Sequence, residues 1–423
     1  MDVEECEVLV IGAGLAGLRC ATELAAAGCD VRVWEAADDV GGRIRTDVVD
    51  GFRCDRGFQV LNPAYPEVRR FIDTASLALQ PFGAGVCVRR EQGSALLAHP
   101  FRHPGRVPGM LASGVIGPAG ALAVARWGRP ALRAAALTAP GPDDVSLRAA
   151  LDRSGVRGEL RRVIDGFLAG VLLDDAGSTS NAFTLLLVRM FALGVPGLPA
   201  GGMTALPRQL AAQLPGRVFL NQRVTGIARD GSEWRVSDEA GALRARQVVV
   251  AADPKSAAVL TAGEPPAMHG VVTDWWASDE APAGPPMLWV DGRAPRRGPV
   301  VNTAVISAAA PTYAPPGRHL IQASALIGPD RATPSPAEMS THAGEILGVE
   351  PARWEPLVRH VVPDALPTQT PPLVVRRPIR DPSGVFVCGD HRDTASIQGA
   401  LVSGRRTAAA VRETLRSGQI IER

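Results

Sequence analysis

The chain has 423 residues, of which 46% are hydrophobic and 21% are charged. It is too long for one ordinary domain and too apolar for a disordered protein, so we expect two or three folded domains. The 45 basic and 43 acidic residues leave a formal net charge of +2, which gives too weak an overall field to draw nucleic acid or an anionic membrane.

The six cysteines are scattered along the chain, without Cys-x-x-Cys spacing and without a neighbouring histidine at metal-ligand spacing. We therefore expect neither a metal site nor a disulfide framework. The chain begins Met-Asp-Val-Glu-Glu and is in an apolar segment by Val8, which leaves no room for a signal peptide. Reduced thiols and the missing signal predict a cytoplasmic location.

A glycine-rich turn separates the first predicted strand, 7–11, from the first predicted helix, 18–27. Gly12 is placed to make the tight turn, Gly14 to let the backbone approach a pyrophosphate, and Gly17 to let helix and strand touch. The N-terminus of the helix offers free N–H groups and a positive dipole to phosphates. This arrangement predicts a dinucleotide-binding site.

An acidic residue ends the second predicted strand, 30–34. Glu35 is suited to accept hydrogen bonds from an adenosine ribose, and its charge disfavours a ribose 2′-phosphate. Glycines alone are a weak signal, but here they stand in the order strand, turn, helix, strand and acid that a dinucleotide fold requires.

The residues that follow resemble the FAD-dependent amine oxidase and phytoene desaturase superfamily. In that family a Gly-Gly-Arg turn comes after the βαβ unit and lies along the cofactor, with the arginine near the pyrophosphate. The matching residues here are Gly41, Gly42 and Arg43. The resemblance implies FAD as the cofactor, because a plain NAD domain has no need of a second glycine pair at this point.

Three further segments carry the resemblance through the middle of the chain. Residues 51–59 are similar to the family's segment beside the flavin ring, and 201–207 are similar to another of its motifs. In the segment 221–224, the resemblance implies that the backbone of Val224 holds the adenine. A predicted strand and turn at 247–254 then close the nucleotide domain.

The C-terminal part of the chain holds the most specific block. A predicted strand runs into Gly389 and Asp390, and Asp390 is suited to bond the ribityl or phosphate oxygens. The next helix is predicted to start near Ile397 and Gln398, so that its N–H groups point at the pyrimidine edge of the flavin. Motifs at both ends of the chain thus point to one cofactor.

The fold class that follows is α/β, with the architecture of the amine oxidase and phytoene desaturase (GR2-type) family. A discontinuous Rossmann-like FAD-binding domain is predicted from 1–74, 197–263 and 366–423. An α+β substrate domain is predicted from 75–196 and 264–365. The first of these two segments reads as largely helical, and the second as strands followed by a helix at 335–347.

Two polar residues are candidates for catalysis beside the flavin ring. His391 is suited to proton transfer or flavin tuning near neutral pH, although a hydrogen bond within its own loop is the more ordinary role. Gln59 follows the segment that the family places beside the ring. Both are expectations from position and residue type.

The predicted substrate class depends on whether the chain has the active-site lysine of many amine oxidases. Many amine oxidases of the superfamily carry a lysine that bridges a water to flavin N5, but the corresponding region here, 271–276, has none. Lys255 is the only lysine in the chain and lies too early. We therefore expect hydride transfer to flavin N5 from a hydrophobic small molecule, such as an isoprenoid or polyene, in a desaturase, dehydrogenase or isomerase.

Two alternatives stay open at this point. One is a flavin amine oxidase that makes an imine and hydrogen peroxide, and the other is an FAD-binding scaffold without turnover. Residues 101–125 also resemble an apolar region through which some family members take substrate from membranes, so peripheral membrane contact is a further expectation. The sequence leaves the electron acceptor undetermined.

Overall fold

The computed structural model describes residues 4–133 and 137–421. The strands are β1 Glu4–Ile11, β2 Val31–Trp34, β3 Thr46–Val49, β4 Phe52–Asp55, β5 Gln80–Pro81, β6 Gly85–Arg89, β7 Ser94–Ala98, β8 Gly197–Leu198, β9 Val218–Phe219, β10 Gly226–Asp230, β11 Glu233–Ser237, β12 Ala242–Val250, β13 Met268–Ser278, β14 Leu288–Asp291, β15 Val300–Val305, β16 His319–Ile327, β17 Glu355–Pro367 and β18 Phe386–Val387.

The α-helices whose bounds are described are α1 Leu15–Ala26, α2 Pro66–Phe71, α3 Val107–Ala112, α4 Pro118–Gly128, α5 Leu147–Ser154, α6 Gly158–Leu172, α7 Asn181–Leu193, α8 Ala205–Ala211, α9 Pro254–Leu260, α10 Ile306–Ala309, α11 Pro336–Leu347 and α12 Ile397–Ile421. Among the described helices, none has the length and apolar character that a bilayer crossing requires.

The first large sheet has the strand order β10-β11-β12-β1-β2-β9, and β18 pairs with β12. Its central strand, β1, is parallel to both β2 and β12. Val8, Leu9 and Val10 are completely buried: Val8 and Val10 cluster with residues of α1 and α12 on one face, and Leu9 clusters with residues of β11 and α9 on the other. Burial on both faces explains why this strand is continuously apolar rather than alternating.

Two helices meet closely over this sheet. A Cβ at Gly404 of α12 would lie 2.3 Å from the carbonyl oxygen of Ala16 in α1, so glycine is required for the two backbones to approach. Helix α1 begins at Leu15, three residues before the start predicted from the sequence, and Gly17 therefore lies inside its first turn.

The second large sheet has the order β17-β13-β16-β15-β14-β6-β7. Helix α11 covers one face, where its residues cluster with those of the central strands β13 and β16. The other face turns toward α6, whose Ala169 packs with Val301 and Leu326. The prediction that 75–196 is largely helical was incomplete, because β6 and β7 also lie in this segment.

Of the two strands that the sequence analysis missed, β6 has a partner far along the chain. β6 pairs in parallel with β14, and β7 forms an antiparallel hairpin with β6. Strands of five residues with a distant partner leave little periodicity for sequence reasoning to detect. The two sheets draw on different segments of the chain, and β17 runs across the boundary predicted at 365/366. The domain boundaries themselves stay a prediction.

Candidate active site

A cavity of about 880 Å³ lies between the two sheets, within the size range of small-molecule and cofactor sites. It is lined by residues from both sheets and from α6 and α7. The predicted site residues that line it are Gly12, Gly14, Glu35, Gly41, Gly42, Arg43, Gln59, Val224, Gly389, Asp390, His391 and Ile397. Gly17 and Gln398 are not part of the lining.

The glycines at the start of α1 have distinct surroundings. Gly12 has φ +106°, and a Cβ there would lie 2.7 Å from the carbonyl oxygen of Ala251. A Cβ at Gly17 would lie only 2.0 Å from the oxygen of Gly12, whereas a Cβ at Gly14 would meet no heavy atom within 4 Å. Gly12 and Gly17 are thus needed for the fold, and Gly14 leaves open space in the cavity wall.

The N-terminus of α1 faces the same space. Its N-cap residue, Gly14, makes no side-chain cap, and Leu15 and Ala16 line the cavity. Uncapped N–H groups beside an open glycine form a cradle that fits a pyrophosphate without competition from a side chain. The structure therefore supports a dinucleotide in this half of the cavity.

Glu35 is fixed by the backbone on both sides of its carboxylate. One oxygen accepts from the N–H of Ala13 at 2.6 Å, and the other accepts from the N–H of Ala37 at 2.9 Å. Each oxygen keeps a further lone pair for a ribose hydroxyl. The N–H of Gln222 donates to the carbonyl oxygen of Glu35 at 2.8 Å, which holds the segment that contains Val224 beside the acid.

Arg43 and Asp390 form a pair that sequence reasoning did not foresee. Arg43 Nη2 lies 2.6 Å from Asp390 Oδ1, and its Nη1 donates to the carbonyl oxygen of Ala365 at 2.8 Å. Burial alone would lower the pKa of Arg43, but Asp390 outweighs burial and raises that pKa above its ordinary value. With 347 positions between the two residues, no local pattern signals the pairing.

Gln59 hydrogen-bonds the backbone beside this pair. Its amide Nε2 donates to the carbonyl oxygen of Arg43 at 2.7 Å and to that of Arg56 at 3.1 Å. In this position Gln59 holds the backbone of the Gly-Gly-Arg turn, which is a positioning role. Its predicted catalytic role stays a prediction.

His391 lies beside the cavity with both ring nitrogens free. The residue is 6% exposed, and neither Nδ1 nor Nε2 has a hydrogen-bond partner in the described part of the chain. A bond to its own loop, the more ordinary role, is therefore not observed. A Cβ at Gly389 would lie 2.5 Å from the imidazole, so the glycine leaves room for the ring. Burial lowers the pKa of His391 to about 4.

The depressed pKa of His391 makes stability fall with acidification. Between pH 6.5 and 4 the unfolded chain binds a proton at this residue and the folded chain does not, so folding weakens as pH falls through that window. At ~1.4 kcal/mol per pH unit, His391→Gln is expected to remove roughly 3 kcal/mol of this dependence. Denaturant unfolding of both proteins at several pH values measures it, and parallel profiles would contradict the assignment.

The start of α12 is fixed by its own loop. Ser396 Oγ accepts from the N–H of Gly399 at 3.0 Å, and Ile397 faces the cavity. A Cβ at Gly399 would lie 1.8 Å from the oxygen of Thr394, so the loop and the helix can meet only at a glycine. Gln398 points elsewhere, with its Oε1 accepting from the N–H of Glu67 at 2.9 Å.

The substrate side of the cavity is mostly apolar. Leu187 and Phe191 of α7 line it, and Phe167 of α6 packs edge-on against Phe191 at 5.7 Å between ring centroids. Phe183 and Leu185, also in α7, are buried in the core instead. Among the cavity-lining residues that sequence reasoning missed are the polar side chains of Asn62, Tyr65, Asn302 and Ser324.

No lysine faces the cavity from β13, where Val271 contributes to the wall. Lys255 lies at the start of α9, is 58% exposed, and pairs with Asp364 at 2.8 Å. Lys255 thus has a half-exposed ion pair at a helix start and does not replace a lysine on β13.

Comparison with known proteins gives one family match and several related proteins. The model of a family described as flavin containing amine oxidoreductase matches residues 15–412. The chain is 28% identical over 271 residues to AofH of Mycobacterium tuberculosis, named as a flavin-containing monoamine oxidase. This alignment covers 59% of the chain and 57% of AofH. The chain thus spans little more than half the length of that relative.

A shorter similarity and a solved structure complete the comparison. The chain is 48% identical over 54 residues to 4,4'-diapolycopene oxygenase of a Methylomonas species, covering 13% of the chain and 11% of that protein. An oxidoreductase from Methanosarcina mazei superimposes with a TM-score of 0.74 at 19% identity, covering 95% of this chain and 99% of that one. The structural match confirms the predicted fold class.

Proposed function

The chain belongs to the flavin-containing amine oxidoreductases, and from that premise we propose that its substrate is a hydrophobic small molecule rather than an amine. It is an oxidoreductase with FAD as its cofactor, as the sequence predicted. Membership leaves the substrate class open, because the relatives include both a monoamine oxidase and a diapolycopene oxygenase.

FAD supplies a hydride acceptor when it is bound, and the chain supplies its binding and surroundings. In this proposal the α1 cradle at Gly14 holds the pyrophosphate and Glu35 holds the adenosine ribose. Arg43 and Asp390 hold the middle of the cofactor, and the positive end of α12 at Ile397 favours negative charge on the flavin. The neutral His391 lies beside the same space with one donor and one acceptor nitrogen, neither of which is hydrogen-bonded in the described part of the chain.

The observation that carries the proposal is an apolar wall from α6 and α7 with no free carboxylate beside it. Three lining carboxylates lie among the described residues, and each is engaged. Glu35 accepts two backbone N–H groups, Asp253 accepts those of Lys255 and Ser256, and Asp390 pairs with Arg43. None of the three lies on α6 or α7, so an alkylammonium ion against the apolar wall of these helices would have no carboxylate of that wall as its counter-charge, which is costly in a buried site.

Anaerobic mixing of the purified holoenzyme with candidate substrates tests the proposal. We expect a polyene or another apolar compound to bleach the oxidised flavin, because the apolar wall admits it and excludes water from the reacting atoms. Simple primary and secondary amines should leave the spectrum unchanged. Bleaching by amines with release of hydrogen peroxide would overturn the proposal in favour of an amine oxidase. Reduction by dithionite alone would favour a scaffold without turnover.

A peripheral contact with an anionic membrane surface is part of the proposal. The segment 99–133, called here the basic apolar segment, contains five arginines, and the sequence has no acidic residue between Glu91 and Asp143. It also exposes large apolar side chains, among them Phe101 at 91% and Leu132 at 77%. Basic and apolar groups together match the chemistry of an anionic lipid surface.

Helix α7 connects this segment to the cavity. Arg102 donates to the carbonyl oxygen of Ala192 near the end of α7, and Arg189 of α7 donates to that of Ala131. Leu187 and Phe191, about one turn apart on the same helix, line the cavity. A hydrophobic substrate taken up at the lipid surface would therefore have a short apolar path to the active site.

Sedimentation with lipid vesicles measures this contact. We expect binding to vesicles that contain phosphatidylglycerol and much weaker binding to phosphatidylcholine alone. Since a basic residue near an anionic surface contributes ~1 kcal/mol, Arg106→Glu and Arg129→Glu should each weaken binding by about fivefold or more. Arg235→Glu, at an exposed position on β11, is the matched control and should change little. Equal losses for all three variants would contradict a specific contact.

A further inference from the structure

Four polar side chains form a hydrogen-bonded chain across the second sheet, on the face toward the cavity. Thr273 Oγ1 and Ser324 Oγ are 2.8 Å apart, Ser324 Oγ lies 3.2 Å from Gln322 Oε1, and Gln322 Nε2 lies 3.1 Å from Asn302 Oδ1. None of the four residues is more than 3% exposed. Strand pairing sets them side by side, because Ser324 is opposite Thr273 in β13 and opposite Asn302 in β15.

The hydrogen bonds of this polar series all have the same donor-to-acceptor direction. The single hydroxyl proton of Ser324 goes to Gln322 Oε1, so Thr273 must be the donor to Ser324. Gln322 then donates from Nε2 to Asn302 Oδ1. The order is Thr273, Ser324, Gln322 and Asn302, and each bond polarises the next. The amide oxygen of Asn302 is thereby occupied, and its Nδ2 is turned away from the chain.

The last group of this hydrogen-bonded series, Nδ2 of Asn302, lies at the cavity. Asn302 and Ser324 both line the cavity, and Nδ2 donates to no acceptor in the described part of the protein. Gly170 of α6 lies against it, since a Cβ at Gly170 would be 2.2 Å from Nδ2. The helix thus leaves room for the amide, and Nδ2 is accessible from the cavity, where the oxygen of a ligand can accept its hydrogen bond.

We propose that Asn302 Nδ2 recognises a carbonyl or carboxylate oxygen on the hydrophobic substrate. This inference rests on the proposed function and narrows it, because the substrate becomes an apolar molecule that carries one hydrogen-bond acceptor. A hydrocarbon would leave Nδ2 unpaired, and an alkylammonium ion would bring donors against a donor. Thr273, Ser324 and Gln322 are positioning residues that fix the orientation of the Asn302 amide.

Binding to the oxidised holoenzyme tests the inference without turnover. 2-Octanone, octane and octylammonium are titrated separately, and perturbation of the flavin absorbance reports binding. Since one neutral hydrogen bond in a protein contributes modestly, 2-octanone should bind about threefold to tenfold more tightly than octane, with octylammonium weakest. Equal binding of 2-octanone and octane would overturn the inference and leave the proposed function standing. If none of the three binds, or octylammonium binds best, the proposed function fails and the inference fails with it.

Variants identify the donor. Asn302→Leu should abolish the preference for 2-octanone and leave octane binding unchanged. Gln322→Met should also reduce the preference, although Asn302 is intact, because nothing then holds the amide oxygen. Thr303→Val is the matched control: it removes a buried hydroxyl of β15 that bonds the backbone of Gln322 rather than the side-chain network. A preference that persists in both Asn302→Leu and Gln322→Met, or that is lost in Thr303→Val, would overturn the assignment.

Discussion

Gly17→Ala is expected to destabilise the protein severely, and Gly14→Ala is expected to leave it folded but unable to retain FAD. The added methyl at Gly17 would lie 2.0 Å from the oxygen of Gly12 and 2.9 Å from the Cβ of Ala251. Overpacking typically costs ~1–3 kcal/mol, and a clash with backbone belongs at or above the upper end of that range.

Comparing Gly17→Ala with Gly14→Ala distinguishes an effect on folding stability from an effect on FAD binding. Gly14 has φ −72° and ψ 174°, which alanine adopts freely, so only about 1 kcal/mol or less of helix capping is at risk. Its methyl would stand in the open cradle, and we expect FAD affinity to fall at least tenfold. Thermal unfolding of the apoprotein and titration with FAD measure the two effects. Equal loss of stability in both variants would contradict the distinction.

Asp390→Ala is expected to have the second large effect. Asp390 is 5% exposed, and without it Arg43 keeps its charge in a mostly buried position. Removing one partner of a buried pair typically costs ~3–5 kcal/mol, and the partial exposure of Arg43 favours the lower end. The fraction of purified protein that retains FAD should fall in parallel, because the pair joins two cofactor-facing segments.

A double-mutant cycle and a surface pair test this assignment. Arg43→Ala combined with Asp390→Ala should cost clearly less than the sum of the single changes, because the second change removes the stranded charge. Asp364→Ala breaks the pair with Lys255, which is more than half exposed, and should cost no more than ~1 kcal/mol. Additive losses in the cycle would show that Arg43 and Asp390 act independently.

The local parts of the site were predictable from the sequence. Gly12, Gly14, Gly17 and Glu35 lie within one βαβ unit, where spacing alone determines geometry. The start of α12 at Ile397 was also predicted correctly, because a strand, a glycine and a capping serine precede it. In both places the chemistry depends on neighbours in sequence.

The parts that escaped prediction depend on pairing across the chain. Asn302 and Ser324 look like ordinary polar positions in two strands, and their placement side by side emerges only when β15 and β16 are placed in register. The bond between Arg43 and Asp390 joins opposite ends of the chain for the same reason. Sequence reasoning named most of these cavity-lining residues but not their partners.

The pairing of β1 with β12, and of β12 with β18, has a consequence for synthesis. The first sheet cannot be completed until β18 has left the ribosome, some 380 residues after β1. At ~5–20 residues per second, the gap of some 380 residues corresponds to roughly 20–80 s. For the first part of that time, until β12 has been synthesised some 240 residues after β1, β1 presents an apolar edge without its second neighbour, and such an edge is prone to pair with other chains.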